Sequence, residues 1–158
     1  MPIQSASEVQ LRSLSEVDMG DIVRIVEKTR GAYQPDLWED RVAYYLRRDP
    51  EGSVVAEADG RVVGFMLGDV RAGEFGIEEP SGWIEVIGVD PDFAGRGVGR
   101  ALADEMLARY RGRGVGCVRT MVDSAMPEVE AFFARLGFTL DSLRPFVKRI
   151  GGNRDERA

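Results

Sequence analysis

The sequence predicts a mixed α/β fold (α+β, one mixed sheet), and three observations predict it. Residues 84–89, Ile-Glu-Val-Ile-Gly-Val, are mostly β-branched and read as a buried strand, which Asp90-Pro91 ends because proline has no N–H for the ladder. Gly95, Gly97 and Gly99 then lead into a helix whose Leu102 and Met106 recur at helical spacing. Upstream, residues 53–58 and 61–70 flank Asp59-Gly60, the clearest hairpin signal in the chain.

Taken in order, residues 1–7 are expected to be a frayed leader, and 9–14 alternate apolar and polar as a first strand. Ser15 or Asp18 caps a helix with Ile22, Val23, Ile25 and Val26 as its apolar stripe, stopped at Gly31. After a loop over 31–35, Asp36 with Glu39 makes a capping pair for a second helix carrying Trp38, Val42, Tyr45 and Leu46. The hairpin comes next, and then residues 71–82, rich in glycine and acids (Glu74, Glu78, Glu79), read as a loop.

Beyond the glycine-led helix, residues 115–122 read as a strand and 127–136 as a helix, with Pro127 in its first turn and Gly137 as its stop. Residues 138–140 and 145–150 are expected to form two last short strands, and 151–158 a disordered tail. The element order is β-α-α-β-β-β-α-β-α-β-β. Nothing divides residues 8–150, so a single domain is expected.

Composition narrows the chemistry. A net charge of −6 argues against general nucleic-acid binding, although Arg96, Arg100, Arg109, Arg111 and Arg113 concentrate positive charge locally. Arg109 to Arg113 fit a solvated helix face best. The chain has no histidine, which removes Ser-His-Asp and Cys-His catalysis and histidine-ligated metals; no metal site is expected. Cys117, the single cysteine, reads as a small buried hydrophobe. No apolar stretch is long enough to span a bilayer and no signal peptide is visible, so a cytoplasmic protein without a membrane partner is expected.

A strand, a glycine-rich turn and a helix in that order form an anion cradle, because the first-turn N–H groups and the helix dipole point at whatever is bound. Gly99 is followed by Arg100-Ala101, which fails the P-loop pattern, and the spacing of Gly95, Gly97 and Gly99 fails the dinucleotide fingerprint. The stretch resembles instead the pyrophosphate-binding motif of the GNAT superfamily of N-acetyltransferases: Val89-Asp90-Pro91, Gly97 and Gly99 match, and Ala94 stands where Gln or Arg is usual. Phe132-Phe133-Ala134-Arg135-Leu136-Gly137-Phe138 resembles the second family motif, at an appropriate distance downstream.

This resemblance implies the single-domain acyl-CoA N-acyltransferase fold and acetyl transfer from acetyl-CoA, as cosubstrate, to a primary amine by direct attack on the thioester. It implies that Ala94, Gly95, Arg96, Gly97, Val98, Gly99 and Arg100 hold the diphosphate. It also implies that the pantetheine arm runs along Ile87, Gly88 and Val89, with Phe132 and Phe133 nearby. The Val89 N–H would polarise the thioester carbonyl.

Phe133 stands where many members carry a tyrosine that protonates the departing thiolate, and Met126 stands where an asparagine is common. These departures keep a second reading open, a non-catalytic acyl-CoA sensor or scaffold of the same fold. An amine must be neutral to attack, so a carboxylate or a water chain must take a proton. Glu85 is the preferred base, four residues before Val89 and on its face by strand parity; a solvent-facing Glu85 is the equal alternative. Tyr33 and Trp38, with Glu85, are the candidate acceptor contacts. The acceptor is a small-molecule, peptide or protein amine, with a homodimer allowed.

Overall fold

The computed structural model describes residues 9–151. The expected frayed leader, and all of the expected tail beyond Gly151, lie outside the described residues. The chain divides after Met121 into two compact units. The first contains β1 (Gln10–Ser13), α1 (Met19–Arg30), α2 (Pro35–Arg48), β2 (Val54–Ala58), β3 (Arg61–Arg71), β4 (Ser81–Val89), α3 (Val98–Gly112) and β5 (Val118–Thr120). The second contains α4 (Pro127–Arg135).

The strands form one five-stranded sheet in the order β1-β2-β3-β4-β5. The first three pairings are antiparallel and β4–β5 is parallel. On one face, the stripes of α1 and α2 meet Val55, Val62, Phe65 and Leu67 in a core that includes Ile22, Ile25, Trp38 and Val42. Each such aliphatic side chain, fully buried, stabilises the fold by about 1.5–3 kcal/mol. On the other face lies α3, close enough that glycine is required beneath it. A Cβ on Gly64 would sit 2.8 Å from Val98 Cγ1 and 3.0 Å from Leu102 Cδ1, and one on Gly82 would overlap the Tyr110 ring. The Tyr110 hydroxyl, pushed up by burial, donates to the Gly52 carbonyl at 2.6 Å.

Some boundaries differ from expectation for local reasons. Pro35 takes the first turn of α2, where its missing N–H costs nothing, so the expected Asp36–Glu39 cap is not used. A short 3-10 turn, Glu16–Asp18, precedes α1, and Asp18 accepts the Ser15 N–H at 2.8 Å while Arg12 holds its carboxylate. β5 is only three residues long, and Cys117 beside it is exposed, contrary to its reading as a buried hydrophobe. Arg109 and Arg113 are structural: the first bonds Ser13 Oγ at 2.7 Å, the second Asp49 Oδ2 at 2.9 Å. Among the described residues no helix is long and apolar enough to cross a membrane.

In the second unit, the buried ring of Phe133 packs edge-on against Phe132 and Phe138, each centroid 5.1 Å away. Gly137, at φ +92°, lets the chain turn back so that the Phe138 N–H bonds the Phe133 carbonyl. The two last strands do not form. Residues 138–150 carry no strand, and Leu140, Phe146 and Ile150 are more than nine-tenths exposed. Strand propensity describes fit to a neighbouring strand, and an isolated two-stranded pair is at best marginal in water.

The end of β4 is pinned by Asp90, which is 3% exposed. Its N–H bonds the Val63 carbonyl at 2.8 Å, and its carboxylate takes Arg24 Nη1 at 2.7 Å, Lys28 Nζ at 3.2 Å and the Asp92 N–H at 3.0 Å. Burial pushes this carboxyl up, but Arg24, the Asp92 N–H and Lys28 outweigh it, and the net shift is downward from 3.8.

Both features have measurable consequences for stability. Gly82→Ala forces the Tyr110 ring aside, and chemical denaturation should show a loss of about 1–3 kcal/mol. Because the folded-state value of Asp90 is depressed, its contribution is complete above the ordinary carboxylate range and is lost as pH falls through the folded value. Asp90→Asn should therefore cost about 2 kcal/mol at neutral pH and progressively less below pH 3.8, measured as unfolding free energy against pH.

Candidate active site

β4 contains a bulge that determines what the site can do. Leu67 pairs with Val86 and Gly68 with Ile84, so Glu85 has no counterpart on β3. An extra residue of this kind shifts the alternation by one. Before the bulge, Trp83 lies opposite Asp69; after it, Val86 and Gly88 lie opposite Leu67 and Phe65 on the same α1–α2 face. Val89, opposite Gly64, therefore lies on the α3 face. The expectation that Glu85 and Val89 share a face by parity is corrected here, because plain alternation does not survive the bulge.

The backbone slips in the same way. The Asp90 N–H points to β3, where it meets Val63, so the main-chain groups of Val89 and Ile87 point to the other side. That side is covered by β5 only from Gly82 to Ile84, where Thr120 Oγ1 donates to the Ile84 carbonyl at 2.9 Å. Among the described residues no strand pairs with this edge of β4 from Glu85 to Val89. Ile87 and Val89 thus present amides to an open edge next to the cradle.

The cradle runs from Asp90 into α3. Pro91–Phe93 form one 3-10 turn; Gly95 at φ +75° and Gly97 at φ +78° take left-handed conformations that strain other residues. The first bond of α3 runs from the Ala101 N–H to the Gly97 carbonyl, so the Val98, Gly99 and Arg100 amides point outward from the helix start. Val98 is buried beneath the turn, whereas Ala94, Gly95, Arg96 and Gly97 are exposed. The Arg96 guanidinium lies over the Phe93 ring at 4.9 Å, and exposed Arg100 faces Asp104 at 3.8 Å. Unpaired main-chain N–H groups at a helix start, together with the helix dipole, favour negative charge.

Around Glu85 the charges form a chain. Glu85 is paired with Arg71; Arg71 Nε bonds Asp69 Oδ1 at 2.7 Å; Arg48 Nε bonds Asp69 Oδ2 at 2.7 Å. Asp69 is buried, while Glu85 remains 40% exposed. The Arg71 guanidinium also lies 5.9 Å from the Trp83 ring, which Phe75 covers from the loop at 5.9 Å. Tyr45, on α2, is buried, and burial together with the Asp69 charge pushes its hydroxyl up to about 12.

The structure brings Glu85, Ile87, Gly88, Val89 and the 94–100 turn together along one strand and its continuation. Tyr33 is exposed and lines a groove with Met19, Val23, Arg24, Glu27 and Glu39. Trp38 is a correction: it is 1% exposed, edge-on to Phe65 at 6.0 Å and covered by Arg41 at 4.7 Å, so it is a core residue and no acceptor contact. Phe132 and Phe133 lie in the second unit. The residues that sequence reasoning misses are Arg71, Asp69 and Arg48. Asp69 is detectable as a charge at an otherwise apolar strand position.

The model of the acetyltransferase (GNAT) family matches residues 19–138. A mycothiol acetyltransferase of Thermobispora bispora is 42% identical over 91 residues, 58% of this chain and 31% of that protein. An L-2,4-diaminobutyric acid acetyltransferase of Nocardia farcinica is 33% identical over 130 residues, 78% of this chain and 61% of that protein. The chain thus spans less than a third of the length of that mycothiol acetyltransferase. In structure, it resembles an aminoglycoside N-acetyltransferase solved in complex with CoA, with a TM-score of 0.77, 19% identity, and 94% and 98% of the two chains covered. With the family model matched over most of its length, and with a strand, a glycine turn and a helix arranged as an anion cradle, the chain belongs to the GNAT acetyltransferase family.

Proposed function

We propose that this chain transfers an acetyl group from acetyl-CoA to the primary amine of a small molecule. The observation that carries the reading is the open edge of β4 at Ile87 and Val89 running straight into the outward-pointing amides of the cradle. A diphosphate joined to an amide-bearing arm needs both features in that order, and the donors available fit it. The amides of Gly95, Arg96, Gly97, Val98, Gly99 and Arg100 would hold the diphosphate, with Ala94 lining the turn. Ile87, Gly88 and Val89 would pair with the arm. Phe132 and Phe133 are carried over from the family motif as further contacts.

Acetyl-CoA, when bound, supplies an activated thioester. The Val89 N–H stabilises charge developing on the thioester oxygen, a main-chain role that needs no particular side chain. Glu85 accepts the proton that an ordinary alkylammonium, with a pKa of about 10, must lose to attack. The amine nitrogen bonds the carbonyl carbon as the carbon–sulfur bond breaks, and the second proton then left on the nitrogen passes to water or to the departing thiolate, giving the neutral amide and the free thiol. Free thiols have a pKa of about 8.5, so a thiolate can leave without an acid at Phe133. Tyr33, exposed beside the α1–α2 groove, is the proposed acceptor contact. Mycothiol and L-2,4-diaminobutyric acid, the compounds in the relatives' names, favour a small-molecule acceptor over a protein.

Calorimetric titration with CoA, followed by thiol release from acetyl-CoA across a panel of amines, tests the reading. Saturable CoA binding and turnover with at least one amine are expected. Glu85→Gln should lower kcat by about a hundredfold or more while leaving CoA affinity unchanged. No CoA binding would overturn the assignment. Binding without thiol release from any amine would favour the non-catalytic holder that Phe133, a side chain without a hydroxyl, keeps in view.

A further inference from the structure

The proposed function leaves one group of side chains without a task. Asp69 is a buried carboxylate on a central strand, and both its oxygens are taken by arginines, Arg48 from α2 and Arg71 from its own strand. Isolated burial of such a charge is costly, and hydrophobic residues of similar size often serve stability equally well. Stability alone is therefore a weak reason for a chain of four alternating charges. Its exposed end is Glu85, the bulged residue of β4.

We propose that Arg71 is a positioning residue, locked by the Asp69–Arg48 pair and used to aim the Glu85 carboxylate at the acceptor amine. The bulge is what makes this necessary. A residue in a regular strand is oriented by its ladder, whereas Glu85 has no partner on β3 and its side chain needs another restraint. Arg71 provides it as a planar fork: Nε is fixed on Asp69 Oδ1, so the guanidinium plane is set before the terminal nitrogen reaches Glu85. Arg71 is itself only 16% exposed and lies beside the Trp83 ring, so few other orientations are open to it. The opposing charges balance along the chain, so Glu85 is held in place without a net cation standing where an ammonium must arrive.

Arg71 pairs with Glu85, and the groups behind it are linked in turn: Arg48 on α2 to Asp69, Tyr44 and Glu74, and Tyr45 on α2 to Asp69, Arg71, Tyr44 and Arg41, while Arg119 on β5 lies opposite Trp83. Among these, Arg71 is the residue whose ion pair with Glu85 the structure records.

The inference rests on Glu85 as the base, and the test separates the two. Arg71→Met, Arg71→Lys and Glu85→Gln are compared by steady-state kinetics, CoA calorimetry and carbon-13 NMR titration of the Glu85 carboxyl. Arg71→Met should lower kcat by between about tenfold and a hundredfold, with CoA affinity unchanged, since a small misplacement of a catalytic group costs that much. It should also raise the midpoint of the Glu85 titration, because a facing cation is removed. Arg71→Lys keeps the charge but not the fork; it should return the midpoint toward wild type while restoring kcat only in part, and it serves where Arg71→Met does not fold. A crippled Glu85→Gln beside Arg71 variants with wild-type kcat and midpoint would overturn the Arg71 role alone. A wild-type Glu85→Gln would remove the base itself, and the aiming role with it.

Discussion

One extra residue in β4 organises the site. Had β4 paired regularly with β3 throughout, Glu85 and Val89 would share a face, and the main-chain groups of Ile87 and Val89 would turn toward β3 to complete the ladder. The bulge at Glu85 reverses both relations. It places the carboxylate on the face covered by α1 and α2, and turns two amides outward to an edge that β5 leaves uncovered beyond Ile84. Bulges are a usual way to re-aim a side chain and end a pairing. Here one insertion does both.

The chain downstream of the bulge must stay in register with it, and Asp90 ensures this. Its N–H closes the last bond to β3, while its carboxylate receives Arg24 and Lys28 from α1 and the Asp92 N–H from the turn. The open strand edge and the helix start are thereby held by one buried residue, and the cradle inherits its position from the α1 side of the core. On the opposite face, the glycines at 64 and 82 let α3 lie close to the sheet. The Arg48–Asp69–Arg71 chain gives Glu85 a comparable anchorage from α2.

Much of this is legible in the residues. Asp59-Gly60 between apolar runs announces the β2–β3 hairpin, and proline with spaced glycines after it announces the strand-to-helix turn, because each residue type is dictated by local backbone geometry. The bulge is not legible, since nothing local distinguishes Glu85 as an inserted residue from Glu85 on a wet strand face; only the register against β3 decides. Trp38 misleads for a related reason: an aromatic beside Asp36 and Glu39 suggests a contact for an amine until α2 is seen to turn it onto Phe65. Residues 138–150 have strand composition, but composition cannot create a partner strand.

The central claim is that the outward amides of β4 receive the arm of coenzyme A. Residue-resolved hydrogen exchange of the Ile87 and Val89 amides, with and without saturating CoA, tests it most directly. The account predicts that both become protected on binding, together with amides of the 95–100 turn, while Gly88, which points to β3, changes little. Exchange at Ile87 and Val89 that is unaltered with CoA bound would contradict it.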